Sequence, residues 1–404
     1  MLLTKRCERV RTAWPLLLLQ AAFVSFPAFA GPITPPPGPV ASTHKTLTEV
    51  EPRIAINATN TPGDADSVYR ISQPGSYYLT GHVTAAPGER CIEIGASNVT
   101  IDLNGFTVIG VGSSIAGIGV DLAHNGLTVR NGVVENCPGR GVDLCDVWSS
   151  FGHVVENVTV RSCGIGILVG SDAVIKQCIS TNNEAEGIVA GNDSVVTACA
   201  ANENGSLGIV AGDGSTVSHC SGGLNAGTGI LVGTGSTVEG CASRSNLGHG
   251  IQGGSGSLVA SCTASANGLT GVFMLSDSTV TGCTVYRNTS DGIAVNSDCE
   301  VRNNNCNENG FGAGSGAGIV ASGSDIRVEG NHCSDNDWGI RALFAGNIIV
   351  RNTCSGNTTA NWDLVANNVF GPIVNRSAPG SAAVLGDSAS SSLGSTDPNA
   401  NFTY

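Results

Sequence analysis

Residues 137–161 are the least regular stretch of this sequence, and reactive side chains gather there: Arg140, Asp143, Asp146, Trp148 and His153, followed by Glu156 and Arg161. Carboxylates, bases, a histidine and an aromatic ring are the residue types that acid–base chemistry on a sugar would use. Arg140, Asp143, Asp146 and His153 are therefore the candidate catalytic residues, and Trp148 is the candidate binding residue. Outward spacing on one strand sets Asp143 beside the turn residue Asp146. The turn 145–153 is longer than its neighbours, and inserted loops often carry function. The alternative is an ordinary insertion bearing surface charges.

The elements that must position these residues are set by a repeat. Cys178, Cys199, Cys220, Cys241, Cys262 and Cys283 lie 21 residues apart. Five residues after each stands Asn (183, 204, 225, 246, 267, 288), nine after stands Gly, and ten after stands Ile or Val. Each unit reads as three short strands divided by turns, such as Gly187-Ile188-Val189-Ala190, Ser194-Val195-Val196 and Cys199-Ala200-Ala201. Strands this short and this interrupted by glycine must bury their inward residues against neighbouring units, which makes a solenoid. About thirteen coils fit between Cys91 and Asp363, a stack of roughly 60 Å at ~4.8 Å per coil.

These units resemble the parallel β-helix repeats of the pectin-lyase-like superfamily over about residues 70–375, in the recurring Gly-Ile-x-Val, turn, Ser-x-Val, Cys or Asn text. The segments Gln73–Leu79 and Asn98–Gly105 are similar to the opening of exported bacterial β-helix proteins of undefined activity. The resemblance implies an all-β, right-handed parallel β-helix solenoid. It also implies a groove on the outward side of the Gly-Ile strand, with the outward row Gly119, Asp143, Leu168, Val189, Val210, Leu231, Gln252, Phe273, Ala294, Val320 and Arg341. The centre of that row is apolar. It lacks the two carboxyls a glycosidase needs ~5–9.5 Å apart and the carboxylate cluster that would hold calcium for a sugar-acid lyase. Gly248-His249-Gly250 is similar to a polygalacturonase motif, but Gly222-Gly223-Leu224-Asn225 stands where that family has paired aspartates. His249 reads as a solvated turn residue.

The cysteines read as one inward column continued by Cys306, Cys333 and Cys354 and begun by Cys137 and Cys163, with Cys91, Cys145 and Cys299 off it and each open to pairing with a neighbour. Parallel Cβ vectors in neighbouring coils argue for free thiols rather than disulfides, and a file of thiols does not converge on a metal. No metal site and no cofactor are expected. Asp172, Asp193, Asp277, Asp298 and Asp325 fit turns without a ligand, with calcium along this edge as the alternative.

Residues 1–30 read as an export signal: four bases, an apolar run from Trp14 to Phe26, and Ala28-Phe29-Ala30 before Gly31. Its removal leaves 15 Lys and Arg against 31 Asp and Glu, a balance of −16. That acidity argues against nucleic acid and anionic membranes. Residues 31–70 read as a Pro-rich linker and N-terminal cap, 71–376 as the β-helix and 377–404 as a flexible tail, with no transmembrane span. The sequence supports two functions. One is a secreted, periplasmic or cell-surface scaffold binding polysaccharide or cell-envelope glycans. The other is a polysaccharide lyase, glycoside hydrolase or epimerase.

Overall fold

A coil of three short strands closes on itself only if the chain turns sharply at three corners, and in this protein one residue at each corner takes the left-handed backbone conformation. In the coil 183–203 these are Asp193 (φ 54°), Ala198 (φ 52°) and Glu203 (φ 58°). The computed structural model describes residues 51–145, 149–312, 315–375 and 396–404. Residues 53–404 form one compact unit. Fourteen parallel strands, one per coil, stack from Ser67–Ile71 to Ala360–Leu364. Twenty-eight more strands make up the other two walls, joined into one hydrogen-bonded set by the eight-residue strands Thr128–Glu135 and Val154–Arg161. The register advances by whole coils: Ile188 pairs with Ile209, which pairs with Ile230. The all-β parallel solenoid and its 21-residue period stand as the repeat implied.

The residue after each left-handed corner points inward, and so does its amide. The next coil receives that amide with a side chain. At the first corner Ser194, Ser215, Ser236 and Ser257 each donate their backbone N–H to the Oγ of the serine one coil on, at 3.1–3.2 Å. Ser278 donates to the Sγ of Cys299 at 3.4 Å, so Cys299 stands in the serine file. At the second corner Cys199, Cys220 and Cys241 donate to the next Sγ, each at 3.4 Å. At the third, Asn204, Asn225 and Asn246 donate both backbone N–H and Nδ2 to the next Asn Oδ1 at 2.9–3.1 Å. An inward amide left unmet would cost about 1–3 kcal/mol. The repeated Ser, Cys and Asn are thus acceptors for buried donors.

This corrects the single cysteine column. After Cys283 the second corner is held by Asn304, Asn331 and Asn352. Cys306, Cys333 and Cys354 instead continue the strand position of Val285. Cys163 precedes Asn183 in the asparagine file and donates its amide to that side chain. A shared residue type at loosely similar spacing hid three separate files. All fourteen described cysteines are buried, and none is in a disulfide. Burial raises the Cys91 thiol to about 12.

Glycine is required where the asparagine file runs. A Cβ on Gly208 would lie 2.4 Å from the Gly229 carbonyl and 2.6 Å from Asn225 Nδ2.

The ends differ from the expected boundaries. Strands Ile54–Ile56 and Ser67–Ile71 already pair within the sheets, because Ile56 and Ile71 face the core. Within the expected tail, Asn401–Thr403 forms a strand that pairs with Thr353–Ser355 on one side and Ile373–Asn375 on the other. Asn401 Oδ1 accepts the Asn352 amide at 2.9 Å and so extends the second-corner asparagine file. The expected signal peptide, the Pro-rich start and residues 376–395 lie outside the described residues.

Two outcomes test this interior. Asn246→Ala removes the acceptor of two Asn225 donors and should lower stability by about 3 kcal/mol, read as a drop in the urea midpoint. Native protein should react negligibly with a thiol reagent. Denatured protein without reductant should titrate fourteen thiols after export cleavage; near-zero thiol would mean disulfides.

Candidate functional site

Along the fourteen-strand sheet, register aligns one outward row from Arg70 and Glu93 through Gly119, Asp143 and Leu168 to Arg341 and Asp363. The eleven residues read from the sequence fall on this row in the expected order. The row has three zones: an ionic one at its start, an apolar one from Leu168 to Val320 interrupted only by Gln252, and an ion pair at its end.

The ionic zone is larger than the sequence suggested. Glu93 is almost wholly buried between two arginines, with Arg70 against one oxygen and Arg90 at 2.9 Å from the other. Arg70 also meets Asp121, and Asp64 at 3.1 Å. Asp121 in turn accepts from His124 at 2.8 Å. Burial opposes ionisation of Asp121, but the His124 hydrogen bond and the Arg70 charge outweigh it and lower its pKa. A Cβ on Gly119 would lie 3.2 Å from Arg90 Cδ and Nε, so the Arg90 side chain crosses the sheet over this glycine. It thereby fills the interval between Glu93 and Asp143, which are two coils apart. Arg70, Arg90, Glu93, Asp121 and His124 were not read as site residues. The signal was present: Arg70 and Glu93 hold the outward place in Ser67-Val68-Tyr69-Arg70-Ile71 and Arg90-Cys91-Ile92-Glu93-Ile94, respectively two coils and one coil before Gly119.

The expected candidates separate. Arg140 and Asp143 do meet, Nη1 to Oδ2 at 2.7 Å. Burial raises the Asp143 carboxyl, and the Arg140 hydrogen bond and charge pull it back only in part. Asp146 and Trp148 lie outside the described residues. His153 is not on the outer surface. It is fully buried at the first corner, one coil after Leu127, and neither ring nitrogen has a hydrogen-bond partner. The left-handed Gly152 (φ 71°) just before it turns it inward, so it is not placed to touch an external ligand. Burial lowers its pKa to about 4.

His249 is half-buried rather than solvated. Its ring stacks on Phe273 with centroids 5.1 Å apart, and burial lowers its pKa. Phe273 and Trp338 pack on a small second core of Ala294, Ala317 and Val320, outside the main one. Arg341 lies over the Trp338 ring at 4.7 Å and pairs with Asp363 at 3.0 Å. Asp172, Asp193, Asp277, Asp298 and Asp325 each occupy the left-handed first corner, which accounts for aspartate there. Among the described residues, no group of three or more His, Cys, Asp or Glu could hold a metal ion.

Stacked three-strand coils with one continuous outward sheet define a class, and the sequence agrees with it. The family described as Right handed beta helix region matches residues 146–279 and 210–358, more than half of the chain. The chain belongs to that family. Among solved structures it is similar to the A-module of the mannuronan C-5 epimerase AlgE4 of Azotobacter vinelandii. Identity is 16%, the TM-score is 0.51, and the match covers 73% of this chain and 90% of that one. The AlgE6 A-module of the same organism gives 15% and 0.50, covering 82% and 90%. At these identities the likeness is one of fold alone. No curated protein matches the sequence.

His153 yields a pH dependence. The unfolded chain takes up this proton below about pH 6.5, the folded chain only below about 4. Its contribution to stability is therefore complete above 6.5 and lost as pH falls through 4, about 3 kcal/mol in all. His153→Leu, matching Leu127, should flatten the denaturation midpoint between pH 4 and 6.5. An unchanged slope would show that other groups set it.

Proposed function

We propose that this is an exported glycan-binding β-helix protein that holds polysaccharide along the fourteen-strand sheet without catalysis. One observation carries the reading. Each carboxylate of the outward row is engaged by arginine, and Arg90 occupies the space between Glu93 and Asp143 that a sugar and a water would need. What remains on the face is a long apolar strip with aromatic rings, the usual lining of a binding cleft. Two modules named for mannuronan epimerisation share the fold, which makes polysaccharide the ligand to test first. The reading places the protein outside the cytoplasm, periplasmic, secreted or on the cell surface. Among the described residues, no helix is long and apolar enough to cross a membrane. The net charge of −13 opposes nucleic acid as a partner. Calcium is not required by this reading.

A second reading is a lyase, hydrolase or epimerase, and the raised carboxyl of Asp143 favours it, since a protonated acid can donate to a leaving oxygen. A panel of uronate and neutral glycans, with and without calcium, separates the two. The binding reading expects association with no new reducing ends, unsaturated products or epimerised sugars. Turnover that disappears in Asp143→Asn would overturn it.

A further inference from the structure

The outward sheet is not uniform, and its second half has the features of a stacking surface. His249 and Phe273 form one flat pair. Trp338 under Arg341 forms another. Register sets Phe273, Ala294, Val320 and Arg341 on successive coils, so the two aromatic levels are about 14 Å apart along the axis. Between them lie Ala294, Ala317 and Val320, almost wholly buried, with both rings packed against them. Gln252 lies beside Phe273 in the row and brings an amide that both donates and accepts.

We propose that this half of the face is a platform for a neutral polysaccharide, lying along the solenoid axis and stacked on Phe273 and Trp338. The inference rests on the glycan-binding reading and adds the class of glycan and its anchors. Sugar rings have apolar C–H faces and hydroxyl edges. An aromatic face attracts the first and releases its water, and a linear polymer matches a site that repeats along one line.

Charge selects against an acidic chain. The strands of this sheet contain four bases, Arg70, Arg90, Arg140 and Arg341, and each is in an ion pair. None is spare for a uronate carboxylate or a sulfate. The adjoining corner carries exposed Asp277, Asp298 and Asp325 at the coils of the platform. An acidic polymer would meet like charge along its whole bound length, whereas a neutral one would not.

The test is calorimetric titration of the whole mature protein with neutral hexasaccharides (xylo-, cello- and malto-series) and with mannuronate and galacturonate hexasaccharides, in EDTA and in calcium. A neutral series should bind, with affinity indifferent to calcium and to salt. Phe273→Ala and Trp338→Ala should each weaken it at least tenfold. Phe273→Leu and Trp338→Leu keep the packing on Ala294 and Ala317 but remove the flat face, so they should weaken binding as much while leaving the melting temperature nearly unchanged. Tighter binding of a uronate series, with or without calcium, would overturn the neutral platform and leave the glycan-binding reading standing. Neutral binding untouched by the leucine variants would move the site elsewhere on the molecule. Failure of every glycan to bind would remove both readings.

Discussion

At the corners of the regularly repeating coils an amide N–H is turned away from water, and the following coil receives it with a side chain. The acceptor is a serine oxygen at the first corner, a cysteine sulfur at the second and an asparagine oxygen at the third. These contacts join coils at the points where strand pairing is interrupted by the turn. Sulfur is the weakest acceptor of the three, and past Cys283 asparagine takes over its file. The asparagine file has a further effect. From Asn204 on, each Nδ2 also reaches a backbone carbonyl, as Asn225 does with Ala201 at 3.0 Å, so donors and acceptors balance within the core. A fully connected polar file is tolerated in an apolar interior where a partial one would not be.

The same corners free the exterior. The left-handed residue faces solvent, and the third-corner file runs Asn182, Glu203, Leu224, Ser245, Ala266, Arg287 and Glu308 without regard to chemistry. Non-glycine residues there carry a backbone cost of roughly 1–2 kcal/mol each, offset by the stacking that fixes them. The outward row of the long sheet has similar latitude, since its side chains do not enter the main core. Ionic side chains at one end and aromatic rings towards the other are therefore compatible with one unchanging scaffold.

Where the period is strict, from Cys178 to Cys283, strands, corners and the outward row were all legible, because inward and outward positions alternate with no insertion. Legibility failed where the count alone was used. Cys283 and Cys306 are 23 residues apart and seemed to share a file, yet pairing with Val285 puts Cys306 on a strand. His153 looked like a loop residue because it ends the long turn 145–153, but the left-handed glycine before it sends it inward. Glu93 and Arg70 went unread because the first coils have no repeated cysteine or asparagine to announce the register. The strand at Asn401–Thr403 carries no periodic mark and is joined to its partner across 49 residues.

That last strand bears on the order in which the molecule is completed. A chain made from its N-terminus can add coils as they emerge, each receiving the amides of the one before. The coil holding Asn352 is an exception, because its second-corner amide waits for Asn401, and the strand that brings it slots between Thr353–Ser355 and Ile373–Asn375. Growth of the stack is sequential, but its closure is not. Asn401–Thr403 acts as a latch between these two strands, and until it is in place their edges stay open in the way that recruits other chains.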